Sequence, residues 1–440
     1  MKKAPNEVLD LEKKLNNKKI WFNISNNHDN QEALGCWDAV NKRVRLGHSK
    51  IPIFCELKSN FGFSINNNKK KYMMVHCRGN QEIDYEKVNK IIGAEYQRIE
   101  DEIELEHLSN SGFGLVNPFL GFDRPDILQI FDKSLITQNF IPYTMMTNAS
   151  HRRWGIEFKP DELIDSLPNK LIEDVILENT KFEIKKYKIG ILTGNSPESG
   201  ILLWEEINER IRYNLGDNHF LGDMSFPEVI IESIPEMGLS MELDLRFKDV
   251  SDVVNKGITN LCERGASIIC IACNTTQYFS GILKTICSKF GATYVSISEV
   301  TYQYLKKDNI KEFDFLGIKY VSDFKNWSDF KNLNKEFDLN IPKEEDISKI
   351  NEIAFEVKKK GKTGEGMKTL RKLRKLIDDA TKTNTVIFAL TELSIIFKSH
   401  KKFFIKKSKK VYLDTLIILA EAIGDMYTKD YLSVIERSKK

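Results

Sequence analysis

The stretch ASIICIACNTTQYF, residues Ala266 to Phe279, carries the residue types best suited to chemistry in this 440-residue chain. Ile268 to Cys273 are all apolar, and the sequence then turns polar at Asn274-Thr275-Thr276. A continuous apolar run of this length reads as a strand buried on both faces of a parallel sheet. Cys273 then stands at the carboxyl end of that strand, where open α/β sheets place their ligands. A thiol in that position, with the polar Asn274 and Thr275 beside it, is a candidate for work on a bound substrate. Cys270 forms a C-x-x-C pair with Cys273. Residues i and i+3 of a strand point to opposite faces, so neither a disulfide nor a metal site is expected there. Cys36, Cys55, Cys77, Cys262 and Cys287 read as structural.

The composition limits what surrounds this thiol. A length of 440 residues with 41% hydrophobic content supports two or three domains with real cores. Lys+Arg 66 against Asp+Glu 63 gives a net charge of +3, so no large basic field advertises nucleic acid, although a local patch still can bind RNA. The lysine-rich KKFFIKKSKK, Lys401 to Lys410, reads as a solvated surface turn. The opening MKKAPNEVLDLEKK lacks the apolar core of a signal peptide. No run approaches the roughly 20 apolar residues of a membrane span. Seven scattered cysteines argue against a disulfide framework, so a cytoplasmic protein with no membrane partner is expected.

The elements that must hold Cys273 alternate. Strand-like runs are Lys188–Leu192, Glu228–Ser233, Ser267–Ala272, Thr293–Ile297, Phe315–Val321 and Thr385–Leu390. Helical patterns lie between several of them. Val254, Ile258 and Leu261 recur at i, i+4, i+7, and Gly265 is placed to end that helix. Strands alternating with helices imply βαβ units and a parallel sheet. A charged boundary, ENTKFEIKKY, separates residues 1–178 from 187–435, and no internal repeat is legible.

IACNTTQYF resembles the Cys-Asn-Thr motif of the aspartate/glutamate racemase superfamily, which works without pyridoxal phosphate. Two further stretches agree in order. IGILTGNSPESG (Ile189–Gly200) is similar to that family's opening strand and glycine-rich turn, and TELSIIF (Thr391–Phe397) is similar to the Thr-Glu-Leu after its second cysteine. The resemblance implies a two-lobed, parallel-sheet α/β domain over 187–435 that binds a small amino acid and needs no cofactor or metal. It implies Cys273 as base and Asn195, Ser196, Asn274 and Thr275 as substrate-binding residues. Two thiols on opposite faces of the substrate Cα would act as base and acid. Here Ala389 and Leu390 stand where the glycine and second cysteine belong, and Gln277 stands where many relatives carry histidine. Leu390 carries no proton, so Thr391 is the remaining hydroxyl candidate on that side. Readings left open are racemase or isomerase activity, one-sided lyase or decarboxylase chemistry, and amino-acid binding alone. An active Cys273 is expected to be an accessible thiol that alkylates faster than its neighbours.

Residues 1–178 resemble the aminoacyl-tRNA deacylases related to the editing domain of bacterial prolyl-tRNA synthetase. The matching stretches are CWDAVNKRVRLG, FCELKSN, YMMVHCRGNQEIDYEKVNKIIGAE, GFGLVNPF and LQIFDKSL. The resemblance implies a mixed α/β editing-like domain. It implies Lys58 as a catalytic lysine holding a phosphate of the tRNA acceptor end. Gly114 and Pro118 become the substrate-binding Gly-x-x-x-Pro loop, whose backbone supports water attack on the ester. Expected partners are therefore a small amino-acid substrate and an aminoacyl-tRNA at this half. A homodimer is compatible with the sequence. His151, Arg152 and Arg153 form a small basic cluster that either faces RNA or is merely solvated.

Overall fold

A computed structural model describes residues 3–45, 51–137, 144–361, 367–405 and 409–439. The chain forms two compact units. The first comprises Met1–Lys186, Leu215–Ser225 and Lys429–Lys440, and the second Tyr187–Asn214 and Phe226–Thr428. Both are α/β.

In the first unit, β1 is Phe22–Asn26, β2 Leu57–Asn66, β3 Lys69–Arg78 and β4 Gln97–Arg98. Then come β5 Leu128–Asp132, β6 Met145–His151, β7 Trp154–Phe158 and β8 Lys170–Glu173. A five-stranded mixed sheet runs β4-β2-β3-β5-β8, and a three-stranded antiparallel sheet runs β1-β7-β6. The β2–β3 hairpin closes through Asn67 and Asn68 at φ 49 and 60, the left-handed conformation that a tight two-residue hairpin demands and asparagine tolerates. Between the two sheets lies a core of Leu57, Phe131, Met145, Ile156 and Phe158, with Leu11 and Leu15 from the helix Asn6–Asn17. A second core, with Val75, Val88 and Ile130, sits under the helix Tyr85–Ile92. The first matching stretch, CWDAVNKRVRLG, forms the helix Cys36–Lys42, and its Leu46 and Gly47 lie outside the described residues.

The second unit contains β9 Lys188–Thr193, β10 Glu228–Ser233, β11 Ile268–Ile271 and β12 Thr293–Tyr294. It continues with β13 Glu312–Leu316, β14 Asp338–Asn340, β15 Thr385–Phe388 and β16 Val411–Asp414. They make two parallel four-stranded sheets, β10-β9-β11-β12 and β14-β13-β15-β16. The strand order is the same in both, second-first-third-fourth. A duplication invisible in the residues is thus plain in the topology.

The helix Phe247–Glu263 buries Val250, Val254, Ile258 and Leu261, and Gly265 follows it at φ +81. Three expectations need correction. The run Phe315–Val321 is a strand only to Leu316; after Gly317 the chain turns helical over Lys319–Ser322, with Tyr320 and Val321 buried. Short apolar runs fit a buried helical turn as well as a buried strand. The run Thr293–Ile297 is extended only over Thr293–Tyr294, because a helix begins at Ile297. The lysine-rich stretch is no mere turn. Lys401–Ile405 is helical, Phe404 is fully buried, and the Phe404 carbonyl accepts from Arg374 Nη1 at 2.9 Å. Its residues 406–408 lie outside the described residues.

Candidate active sites

In the second unit the two third strands end alike. Ala272 N–H donates to Leu192 O at 3.0 Å, and Ala389 N–H donates to Leu316 O at 2.9 Å. One residue on from each stand Cys273 and Leu390, so they occupy equivalent positions of the two lobes.

Cys273 is held by its own neighbourhood. Gly194, just past β9, has φ +140, and a Cβ there would lie 1.9 Å from the Ile234 carbonyl oxygen. Only glycine makes that turn, which delivers Asn195 so that its Nδ2 donates to Cys273 Sγ at 3.0 Å. Gln277 is structural. Its Nε2 donates to the Cys273 carbonyl at 3.0 Å, and its Oε1 accepts from Tyr294 OH and Ile297 N, both at 3.1 Å. Asn274 Oδ1 accepts from Thr415 Oγ1 at 3.0 Å, which joins the end of β11 to the end of β16.

Other polar atoms here lack hydrogen-bond partners among the described residues. Asn195 Oδ1, Ser196 Oγ and Asn274 Nδ2 are buried without a hydrogen bond. Each such vacancy costs about 1–3 kcal/mol, which a bound ligand can recover. Thr275, 6% exposed, opens the 3₁₀ turn Thr275–Phe279. Thr391, 1% exposed, opens the helix Thr391–Ser399, and its hydroxyl donates to Glu392 Oε2 at 3.3 Å.

Two contributors were not anticipated from sequence. Lys358, in the last turn of the helix Glu344–Lys360, donates to the Asn195 carbonyl at 2.6 Å and pairs with buried Glu392 at 3.2 Å. That chain of contacts connects Thr391 to Asn195 and Cys273. The signal was present: Ile350, Ile353, Ala354 and Val357 form the buried stripe, and Lys358 stands four residues after Ala354, at its edge. Thr415 follows β16 directly and had no recognisable strand before it to mark it.

The expectation of an accessible thiol is corrected, since Cys273 is 2% exposed. The segment after it begins as a 3₁₀ turn, and the α-helix starts only at Ser280. All seven cysteines are free. Burial raises the Cys270 thiol well above the usual range and pushes Cys287 up to about 12. Among the described residues no group of three or more His, Cys, Asp or Glu side chains could hold a metal ion, and no helix is long and apolar enough to cross a membrane.

The first unit holds a cavity of about 950 Å³. Lys58, near the start of β2, lines it and donates to the Gln81 carbonyl. Gly114, at φ +75, lines it too, as do Glu56, Gly79, Val434 and Arg437. Pro118 does not. It is buried at the start of the 3₁₀ turn Pro118–Phe122, where its missing N–H costs nothing. Its neighbour Asn117 caps that turn and donates to Asn148 Oδ1 at 2.9 Å; Asn148 Nδ2 reaches the Gly114 carbonyl at 3.4 Å. Pro118 therefore shapes the loop from behind. The basic cluster is committed within the unit: Arg152 Nη2 donates to the Phe113 carbonyl at 2.9 Å, and Arg153 pairs with Glu32 at 3.0 Å.

Residues 62–159 match the family model of the aminoacyl-tRNA editing domain. No curated protein matches the chain. Similar solved structures include an aspartate racemase homologue from Pyrococcus horikoshii OT3, 20% identical over 55% of this chain and 99% of that one, with TM-score 0.41. Picrophilus torridus aspartate racemase is 17% identical over 56% of this chain and 98% of that one, with TM-score 0.41. A candidate trans-editing enzyme for prolyl tRNA synthetase is 13% identical over 40% of this chain and 99% of that one, with TM-score 0.32. Each of these is a likeness and no more. The chain thus joins a segment matching the aminoacyl-tRNA editing domain to a second unit of two parallel sheets, with aspartate racemases among the solved structures it is similar to.

Proposed function

We propose that this chain is an enzyme with two sites directed at amino acids: a cofactor-independent isomerase site of aspartate/glutamate type at Cys273, and an aminoacyl-tRNA deacylase site at the Lys58 cavity. The observation that carries the first is the Asn195–Cys273 contact at 3.0 Å, flanked by the unpartnered Asn195 Oδ1, Ser196 Oγ and Asn274 Nδ2. Two acceptors suit an α-ammonium. The Asn274 donor and the Lys358 ammonium suit an α-carboxylate, whose enolate-like charge grows as the Cα proton leaves. The Cys273 thiolate takes that proton, and the thiol returns it to the same face. With Leu390 at the equivalent position of the other lobe, proton return to the opposite face lacks a thiol. Exchange of the α-proton should therefore outrun inversion.

The test is incorporation of deuterium at Cα of aspartate or glutamate by the purified protein in deuterated water. Exchange that disappears in Cys273→Ala supports the reading. Binding without exchange would leave an amino-acid-binding module, and neither binding nor exchange would reject the site.

The editing-domain match and the large cavity favour the second activity. Lys58, a point charge at the cavity wall, suits an acceptor-end phosphate. Alanyl-, cysteinyl- and prolyl-tRNA are the substrates to assay. Hydrolysis of one of them, slowed about tenfold or more in Lys58→Ala, is expected. No hydrolysis of any and no tRNA binding would reject it.

A further inference from the structure

Among the described residues, Glu56 is the one carboxylate on the cavity wall that is almost wholly buried, at 1% exposure. It immediately precedes β2, two residues from Lys58, so both side chains leave the same face of the extended chain, roughly 7 Å apart along it. Its Oε2 accepts from Arg43 Nη1 at 2.5 Å, while its Oε1 has no hydrogen-bond partner. The position is clamped. The Gly79 N–H donates to the Glu56 carbonyl at 2.7 Å, and a Cβ on Gly79 would come within 3.1 Å of Glu56 Cβ and 2.7 Å of the Ile53 carbonyl.

Among the described residues nothing donates to the second oxygen. Arg43 engages only Oε2, which leaves Oε1 without a donor in a residue that lines a cavity large enough for a ligand. A buried acceptor without a donor is costly, and a donor supplied from the cavity removes that cost. The matching group must be a strong donor and small. Next to Lys58, which presents the opposite charge, the pair suits a ligand carrying a cationic amine at one end and an anion at the other. An α-aminoacyl ester of a nucleotide is such a ligand.

We propose that Glu56 is the receptor for the free α-ammonium group of the aminoacyl moiety in this cavity. The proposal rests on the deacylase reading for its ligand class but not for its test, because binding is separable from hydrolysis. The same recognition makes the site selective for an unblocked amine. An N-acetylated aminoacyl group has no positive charge and fills the space where the ammonium sits.

The experiment uses the full-length chain and non-hydrolysable 3′-aminoacylamido-adenosines in alanyl, cysteinyl and prolyl forms, each with the amine free or acetylated, measured by calorimetry. The wild type is expected to bind at least one free-amine form 10-fold or more tightly than its acetylated counterpart. Glu56→Gln is expected to weaken the free-amine form by a similar factor and leave the acetylated form unchanged, so that the preference vanishes. Equal affinity for free and acetylated forms in the wild type, or a preference kept in Glu56→Gln, overturns the proposal, and so does binding of neither. A wild type that prefers the free amine yet hydrolyses no aminoacyl-tRNA sinks the deacylase reading and leaves Glu56 as assigned. Should Glu56→Gln fail to fold because Arg43 is left buried and unpaired, Arg43→Met combined with Glu56→Gln removes both charges and carries the same comparison.

Discussion

At the scale of single residues, Leu390 sets the limit on the chemistry proposed for the second unit. It stands where the other lobe has Cys273 and is 4% exposed. One positioned acid or base is typically worth about 10²–10⁴ in rate. Leu390→Cys is therefore expected to raise racemisation of the exchanging amino acid by about 10²-fold or more while leaving α-proton exchange within a few-fold, as read by chiral chromatography beside deuterium incorporation. His76 makes a different kind of prediction. It is fully buried, between Ser59 Oγ at 2.9 Å and Gln129 Oε1 at 2.6 Å, and burial lowers it from 6.5 to about 4. The fold keeps it neutral while the unfolded chain takes up a proton below pH 6.5, so this contribution to stability is lost as pH falls from about 6.5 towards 4. The size is about 3 kcal/mol. Glu56, which burial pushes up to about 7, works in the opposite direction over an overlapping range. Comparison with His76→Gln isolates the histidine: by chemical denaturation at pH 7 and pH 4.5, the unaltered chain should lose about 2–3 kcal/mol more than the variant.

At the scale of elements, the strands that hold Cys273 were legible because each is a compact apolar run bounded by polar residues, as in Lys188–Thr193, Ile268–Ile271 and Thr385–Phe388. The edge strands β14 and β16 were not legible. Asp338–Asn340 and Val411–Asp414 are short and partly exposed, so no apolar pattern marks them. The same division runs through the candidate site. Asn195, Ser196, Asn274 and Thr275 sit beside motifs that can be read in line. Lys358 and Thr415 reach the site only through packing, from helices whose sequences advertise lysines in one case and a plain apolar stretch in the other. Gly194 could be read as part of a glycine-rich turn, but its necessity shows only in the approach of Ile234. Gly194→Ala is expected to cost about 1–3 kcal/mol of stability through overpacking and strain. It should also abolish α-proton exchange, because Asn195 no longer meets the thiol. Thermal denaturation and the exchange assay check the two halves separately.

At the scale of the whole molecule, the first unit is not one continuous segment. It takes in Leu215–Ser225 and Lys429–Lys440 besides its first 186 residues. The ring of Tyr431 lies 5.7 Å from that of Phe54, edge to face, and Val434 and Arg437 help to wall the Lys58 cavity. A fragment ending at Lys186 is therefore expected to melt several degrees below the same unit in the full chain and to bind aminoacylamido-adenosines more weakly. Calorimetric scans and titrations of both proteins decide it.

That discontinuity imposes a schedule on biosynthesis. Lys186 is added to the growing chain well over 200 residues before Lys429. At about 5–20 residues per second, the gap lasts roughly 10–50 s. Throughout it Phe54 waits for Tyr431, and the cavity lacks the wall that Val434 and Arg437 complete. The cavity whose first wall residues are encoded early is therefore completed only after Lys429 and the residues that follow it have been added.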